Sequence, residues 1–260
     1  MKTLLITGGS SGIGLAAVQL FVAKGWQVIE LSRSGQSSPS VVHIPCDVTS
    51  EQSVQTAVAE AMNHTSHLDV VISNAGFGIS GPIEFTSVEE AQKQFDVNLF
   101  GAMRLVRAVL PILRQQRSGR ILFTSSVAAD LSIPYQSFYS ASKSALNAMA
   151  LALANEVRTF GIRVSVLMPG DVATGFTDAR VKSIKGTEVY LGAQSAVEAM
   201  ERDERAGMTP MQMARCLYRM ATTKCPKPIY IGGFVYSIFC LLNRLLPKRL
   251  VNWIVGKLYC

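Results

Sequence analysis

The sequence predicts an α/β, doubly wound fold: a single parallel sheet of about seven strands with helices on both faces. Two observations carry this. Short, continuous apolar runs closed by Gly, Asn, Ser or Pro alternate with amphipathic stretches of helix length, and uninterrupted apolar strands need both faces of their sheet covered. Parallel pairing also demands crossovers, whose right-handedness stacks helices on each side of one open sheet.

The elements follow in order. Residues 4–7 form the first strand, and 13–24 a helix stopped by Gly25. Residues 27–31 and 41–45 are the second and third strands. A helix runs from about 50 to 62, with Thr49 or Ser50 as N-cap and Glu51 in its first turn, where an oxygen and a negative charge both suit unpaired amides. Residues 68–73, rich in Val and Ile, make a strand that ends at Asn74-Ala75-Gly76. A long helical pattern spans roughly 89–116, with a kink expected at Pro111 because proline removes an amide donor. Residues 120–124 are a strand, 139–160 a helix stopped by Gly161, and 163–168 a strand stopped by Pro169-Gly170. With no repeat, low-complexity tract or linker, residues 1–260 read as one domain.

Composition narrows the class. At 48% hydrophobic and 17% charged, the chain is globular rather than disordered. Its cysteines (Cys46, Cys216, Cys225, Cys240, Cys260) are odd in number and form no Cys-x-x-Cys pair, which predicts reduced thiols in a cytosolic protein. His64 and His67 read as a solvated helix end rather than a zinc site, and His43 has no partner at a ligand spacing. Met1-Lys2-Thr3 runs straight into the first strand, so no signal peptide is expected and the protein reads as cytoplasmic. The net charge of +7 is local: no acidic residue follows Glu204, while nine basic ones do. Such a bias argues against a nucleic-acid partner.

Between the first strand and first helix lies Thr7-Gly8-Gly9-Ser10-Ser11-Gly12-Ile13-Gly14. Glycines there let backbone amides approach a pyrophosphate at a helix N-terminus. A structural loop can look the same, but the position on the first strand–helix junction favours a dinucleotide. The second strand ends Glu30-Leu31-Ser32-Arg33. Ser32 removes the charge that would repel a 2′-phosphate and Arg33 offers a fork to hold one, so NADP(H) is favoured over NAD(H). Glu30 dissents, because by alternation it shares a side with Ser32.

Tyr139 and Lys143 stand one helical turn apart. An ammonium at that distance is expected to lower the phenol pKa from its usual value near ~10 and make it a usable acid/base. Ser126 lies at the C-terminal end of a strand, as do the glycine turn, Asn74-Ala75-Gly76 and Pro169-Gly170. In open α/β sheets ligands sit at that edge. Ser125 competes with Ser126, but the spacing to Tyr139 favours Ser126.

With these residues in hand, the chain resembles the short-chain dehydrogenase/reductase family over about residues 1–175. The matching motifs are Thr7-Gly8-x-x-x-Gly12-x-Gly14, Asn74-Ala75-Gly76, Asn98, Ser126, Tyr139-x-x-x-Lys143 and Pro169-Gly170. The resemblance implies a Rossmann fold and hydride transfer between NADP(H) and a carbonyl or secondary alcohol. It implies that Tyr139 exchanges the substrate proton, Ser126 orients the substrate oxygen, and Lys143 holds the nicotinamide ribose and lowers the Tyr139 pKa. Asn98 would support a proton-relaying water, Asp47 would bind the adenine edge beside Val48, and Thr174, near Val172, would meet the carboxamide. Ser11 stands where NADP-preferring relatives often carry a base, so Arg33 would hold the 2′-phosphate largely alone. The long helices imply a homodimer or homotetramer. A non-catalytic nucleotide sensor and a membrane-recruited scaffold are the competing classes, and the complete Asn98, Ser126, Tyr139 and Lys143 set argues against the first.

By the same resemblance residues 171–207 are the substrate lid. The 229–242 run is apolar but shorter than the ~20 residues of a spanning helix, and the segment after it carries Arg244, Lys248, Arg249, Trp253 and Lys257. The 229–260 extension reads first as a pair of helices capping a hydrophobic pocket. A peripheral helix on an anionic membrane is the second reading, and a partner or oligomer contact the third. The first two imply a lipophilic substrate: steroid, retinoid-like, long-chain carbonyl or keto-lipid.

Overall fold

A computed structural model describes residues 1–182, 186 and 188–259, the Tyr259 side chain excepted. Residues 183–185 and 187 of the expected lid, and Cys260, lie outside the described residues.

Seven parallel strands form the central sheet: β1 (Thr3–Thr7), β2 (Gln27–Ser32), β3 (Val41–Pro45), β4 (Val70–Ser73), β6 (Gly119–Thr124), β7 (Ile162–Pro169) and β9 (Ile229–Gly232). Their order is β3-β2-β1-β4-β6-β7-β9, so the direction of winding reverses beside β1. A separate two-residue pairing joins β5 (Ile79–Ser80) to β8 (Val181–Lys182).

Alternation along the strands builds two cores. Leu5, Ile29, Ile121 and Phe123 face α2 (Glu51–His64), α4 (Gly101–Gln116) and α5 (Ser137–Glu156). Leu4, Ile6, Val28 and Ile72 face α1 (Gly12–Ala23) and α8 (Pro210–Thr222). Phe21, Trp26 and Tyr218 meet edge-to-face under that second layer. Each fully buried Leu, Ile or Phe contributes about 1.5–3 kcal/mol relative to exposure.

Helix starts follow local chemistry. Ser50 caps α2 by accepting from the Ser53 amide, which decides between the two expected caps. Ser87 and Glu90 form a reciprocal capping box at α3 (Val88–Phe95).

Three sequence expectations need correction. The 89–116 pattern is not one helix: a π-helical turn over Asp96–Phe100 separates α3 from α4, and α4 runs through Pro111. The 139–160 helix ends at Glu156, followed by a 3-10 turn over Arg158–Phe160. The 229–242 run is not all helix, since its first four residues are β9, paired with β7. Gly233, at φ 100°, turns the chain into α9 (Phe234–Leu245), and α10 (Lys248–Tyr259) follows. The segment expected to be a lid carries α6 (Phe176–Ala179) and α7 (Ala193–Arg205), and α10 packs against α7.

Candidate active site

The C-terminal ends of β1, β4, β6 and β7 open into one cavity of about 490 Å³. Gly8, Ser11, Gly12, Ile13, Asn74, Ala75, Gly76, Ser125, Ser126, Tyr139, Lys143, Pro169, Gly170, Val172 and Thr174 line it. Sequence reading had assembled these from distant turns, and the fold brings them together. Ser10, Gly14, Ser32, Arg33, Asp47, Val48 and Asn98 are not on its wall.

The glycine turn is tightly built. A Cβ on Gly14 would fall 2.0 Å from the Gly8 carbonyl oxygen, and one on Gly9 would fall 2.5 Å from Glu30 Cγ. Glu30 is buried beneath the turn: it accepts from the Gly9 amide at 2.9 Å, Ser32 Oγ at 3.1 Å and His43 Nδ1 at 2.6 Å. The dissenting carboxylate therefore braces the turn, and His43, read as having no partner, is its neighbour across β2 and β3. The amide end of α1 lines the cavity and its first turn carries no acid, so these residues fit a dinucleotide pyrophosphate. Arg33 is exposed beyond β2. Asp47, also exposed, accepts from the Thr49 amide and hydroxyl, which hold its carboxyl below the usual range, with Arg33 and Arg104 adding to that effect.

Thr7 and Asn74 lock the turn to the next strand end. Thr7 Oγ1 accepts from the Asn74 and Ala75 amides, and Asn74 Nδ2 donates to the Gly8 carbonyl. Asn98, on the π-helical turn, is buried behind Gly76. Its amide clips both backbone groups of Phe77 at 3.0 Å and donates to Ser142 Oγ at 3.0 Å. Its side-chain amide thus positions the loop and ties it to α5.

At the catalytic end, Lys143 is buried and donates from Nζ to the Thr124 carbonyl at 3.0 Å. Nζ lies 5.8 Å from the Tyr139 ring centroid. Burial lowers the Lys143 pKa to about 8. Burial also pushes Tyr139 up to about 12, against a lowering hydrogen bond from Ser126. The expectation of a depressed phenol pKa is not met: desolvation outweighs the partners that favour the phenolate, the Ser126 hydrogen bond first among them. Ser125 instead donates to the Lys143 carbonyl, which leaves Ser126 as the serine facing Tyr139.

The segment expected to be a lid supplies residues that local sequence did not signal. Phe176 packs on Tyr139 with ring centroids 5.7 Å apart. Arg180 is buried and paired with Glu204, which also accepts from Thr177 Oγ1 at 2.6 Å. Among the described residues, Arg180 Nε and Nη1 have no hydrogen-bond partner. Their spacing in sequence gave no motif. Asp171 follows Pro169-Gly170 directly and could have been flagged. Burial and the Glu204 and Asp203 charges raise its pKa, while the Tyr236 hydroxyl bonds it at 2.5 Å. The Tyr236 ring packs where a Cβ on Gly170 would fall, 2.2 Å from that position.

A parallel sheet with a pyrophosphate cradle on one side of a cavity and a Tyr–Ser–Lys cluster on the other defines a dinucleotide-dependent oxidoreductase. A sequence profile of the family described as short chain dehydrogenase matches residues 2–185. The chain belongs to the short-chain dehydrogenase/reductase family. It is 35% identical over 263 residues to a 3-ketodihydrosphingosine reductase of Bacteroides thetaiotaomicron, covering 99% of this chain and 98% of that one. It is 32% identical to dehydrogenase/reductase SDR family member 7B of Danio rerio, covering 95% and 82%. The structure of a short-chain dehydrogenase from Streptomyces avermitilis superposes with a TM-score of 0.85 at 28% identity, covering 98% and 97%.

Proposed function

We propose that this oxidoreductase reduces a ketone on a long apolar chain with NADPH. The observation that carries the reading is a Tyr139 hydroxyl beside Ser126, in a cavity to which Ile133, Phe176, Ala179 and Met200 bring apolar surface beside Gln136 and Glu204. The ketone-bearing lipid in the name of the Bacteroides relative points the same way.

When bound, the nicotinamide supplies the hydride. Ser126 holds the carbonyl oxygen, and Tyr139 gives that oxygen its hydroxyl proton as charge develops there. A phenol pushed up to about 12 carries its proton at neutral pH and can give it to the oxygen as charge develops there. Lys143 holds the ribose hydroxyls and returns a proton to Tyr139. Phe176 covers the ring and keeps water from the reacting atoms. The preference for NADPH rests on Arg33, with Ser32 at the strand end and Glu30 already occupied by three donors. Exposed Phe100, Met103 and Leu151 on and beside α4 and α5 support self-association through those helices, readable as a dimer or tetramer mass by light scattering.

The test is NADPH oxidation with a series of ketones of increasing chain length, in the wild type and in Tyr139→Phe. Buried methylenes at about 0.8 kcal/mol each should raise kcat/KM roughly threefold to fourfold per carbon until the cavity is filled. Tyr139→Phe should lower kcat by about 10²–10⁴-fold and leave NADPH binding intact. A flat chain-length series removes the substrate class; full turnover in the variant removes the role of Tyr139.

A further inference from the structure

We infer that α9 and α10 form a docking surface for an anionic lipid bilayer, independent of which ketone the site reduces. Burial and spacing on α9 define two faces. Tyr236, Cys240 and Asn243 face the body, with Cys240 and Asn243 buried. Asn243 donates to the Asp130 carbonyl and accepts from Lys248, which fixes that orientation. The opposite face carries Phe234, Ile238, Leu241 and Leu245, exposed at 81%, 41%, 56% and 71%. These positions recur at helical spacing, so the stripe turned to solvent is apolar, the reverse of a surface helix on a water-soluble body.

Helix α10 adds the complementary feature. Val251 and Val255 face inward, and Arg249, Trp253 and Lys257 lie exposed one turn apart on the other side, flanked by Leu250 and Ile254. Cations and a tryptophan beside an apolar stripe match the headgroup boundary, where the ring and the charges have different partners at adjacent depths. No acidic residue follows Glu204, so a second copy would meet this face with like charge, whereas anionic headgroups would meet it with opposite charge. No described helix is long and apolar enough to cross a membrane, and the geometry is that of helices lying in the surface plane.

The surface adjoins the catalytic cavity through a shared wall residue. A cleft lined by Asp203, Ala206, Tyr236, Phe239 and Leu258 runs between α7, α9 and α10 to Asp171, which also lines the catalytic cavity. A bilayer under α9 would thus lie beside the Asp171 wall of the catalytic cavity.

The experiment is co-sedimentation of the full-length protein with vesicles of equal phosphatidylglycerol and phosphatidylcholine, and with phosphatidylcholine alone. The wild type should pellet with the anionic vesicles, less so as salt is raised. Arg249→Glu/Lys257→Glu should weaken partitioning at least thirtyfold, about fivefold per charge removed. Leu241→Glu/Leu245→Glu should abolish it. Turnover of a short, water-soluble ketone serves as the folding control, and both double variants should retain it. Wild-type protein left in the supernatant overturns the proposal, and so does pelleting that neither variant changes. A dimer that Leu241→Glu/Leu245→Glu converts to monomer, without vesicle binding, assigns the face to a second copy and overturns it equally.

Discussion

Replacing Lys143 with methionine keeps an unbranched side chain one atom shorter and removes an ammonium that burial holds at a pKa of about 8, against an ordinary 10.5. The folded value lies below the unfolded one, so the wild type gains stability as pH rises through that window. Below about pH 8 both states carry the proton and the penalty for burying the charge is complete. At 1.36 kcal/mol per pKa unit it is about 3 kcal/mol at pH 7, and at about pH 9.5 only about 1 kcal/mol remains. Methionine carries no such penalty, although it forfeits the Nζ bond to the Thr124 carbonyl, a loss of about 1–3 kcal/mol. The stability of Lys143→Met relative to wild type should therefore shift by about 2 kcal/mol in favour of the wild type between pH 7 and pH 9.5. Urea unfolding at the two pH values reads this directly from the extrapolated free energies. A difference that stays constant with pH would mean that the ammonium is hydrated in the folded protein. The same buried charge could then not be invoked to tune proton return to Tyr139.

Two further substitutions probe the cofactor side. Arg33→Ala should raise KM for NADPH by about tenfold to a hundredfold, the cost of about 1.5–3 kcal/mol of charge-assisted hydrogen bonding, and leave KM for NADH nearly unchanged; equal effects on both would reject the 2′-phosphate role. Glu30→Ala should destabilise the protein by about 1–3 kcal/mol, because the buried Gly9 amide loses its acceptor. Its dinucleotide dissociation constant should rise as the turn loosens. Unaltered urea stability would show that the brace is dispensable.

The strand ends were legible because each apolar run stops at a residue that cannot extend it, as at Asn74-Ala75-Gly76 and Pro169-Gly170. Since ligands gather at one edge of such a sheet, Gly8, Ser126 and Tyr139 could be placed together without coordinates. β9 was hidden because Ile229–Gly232 merges with α9 in one apolar run, and periodicity cannot divide a segment that is apolar on every side. The π-helical turn was hidden because one extra residue in a helical repeat leaves no compositional mark. The Glu30–His43 pair depends on β2–β3 register, with the two residues directly opposite each other. Register of that kind is a property of pairing rather than of either strand. The Tyr139 pKa was misjudged in sign because spacing reveals a neighbouring charge but not how much water Phe176 and the surrounding walls exclude.

Tyr236 gives the C-terminal extension a second consequence. Its ring rests on Gly170 and its hydroxyl on Asp171, so α9 backs two residues of the cavity wall from outside. A protein truncated after Gly233, the obvious remedy for poor solubility, would lose the ring packed on Gly170 and leave the half-buried Asp171 carboxyl without its hydroxyl donor. Engineers seeking a tractable version should recolour the outer stripe with polar side chains and leave the inner one intact.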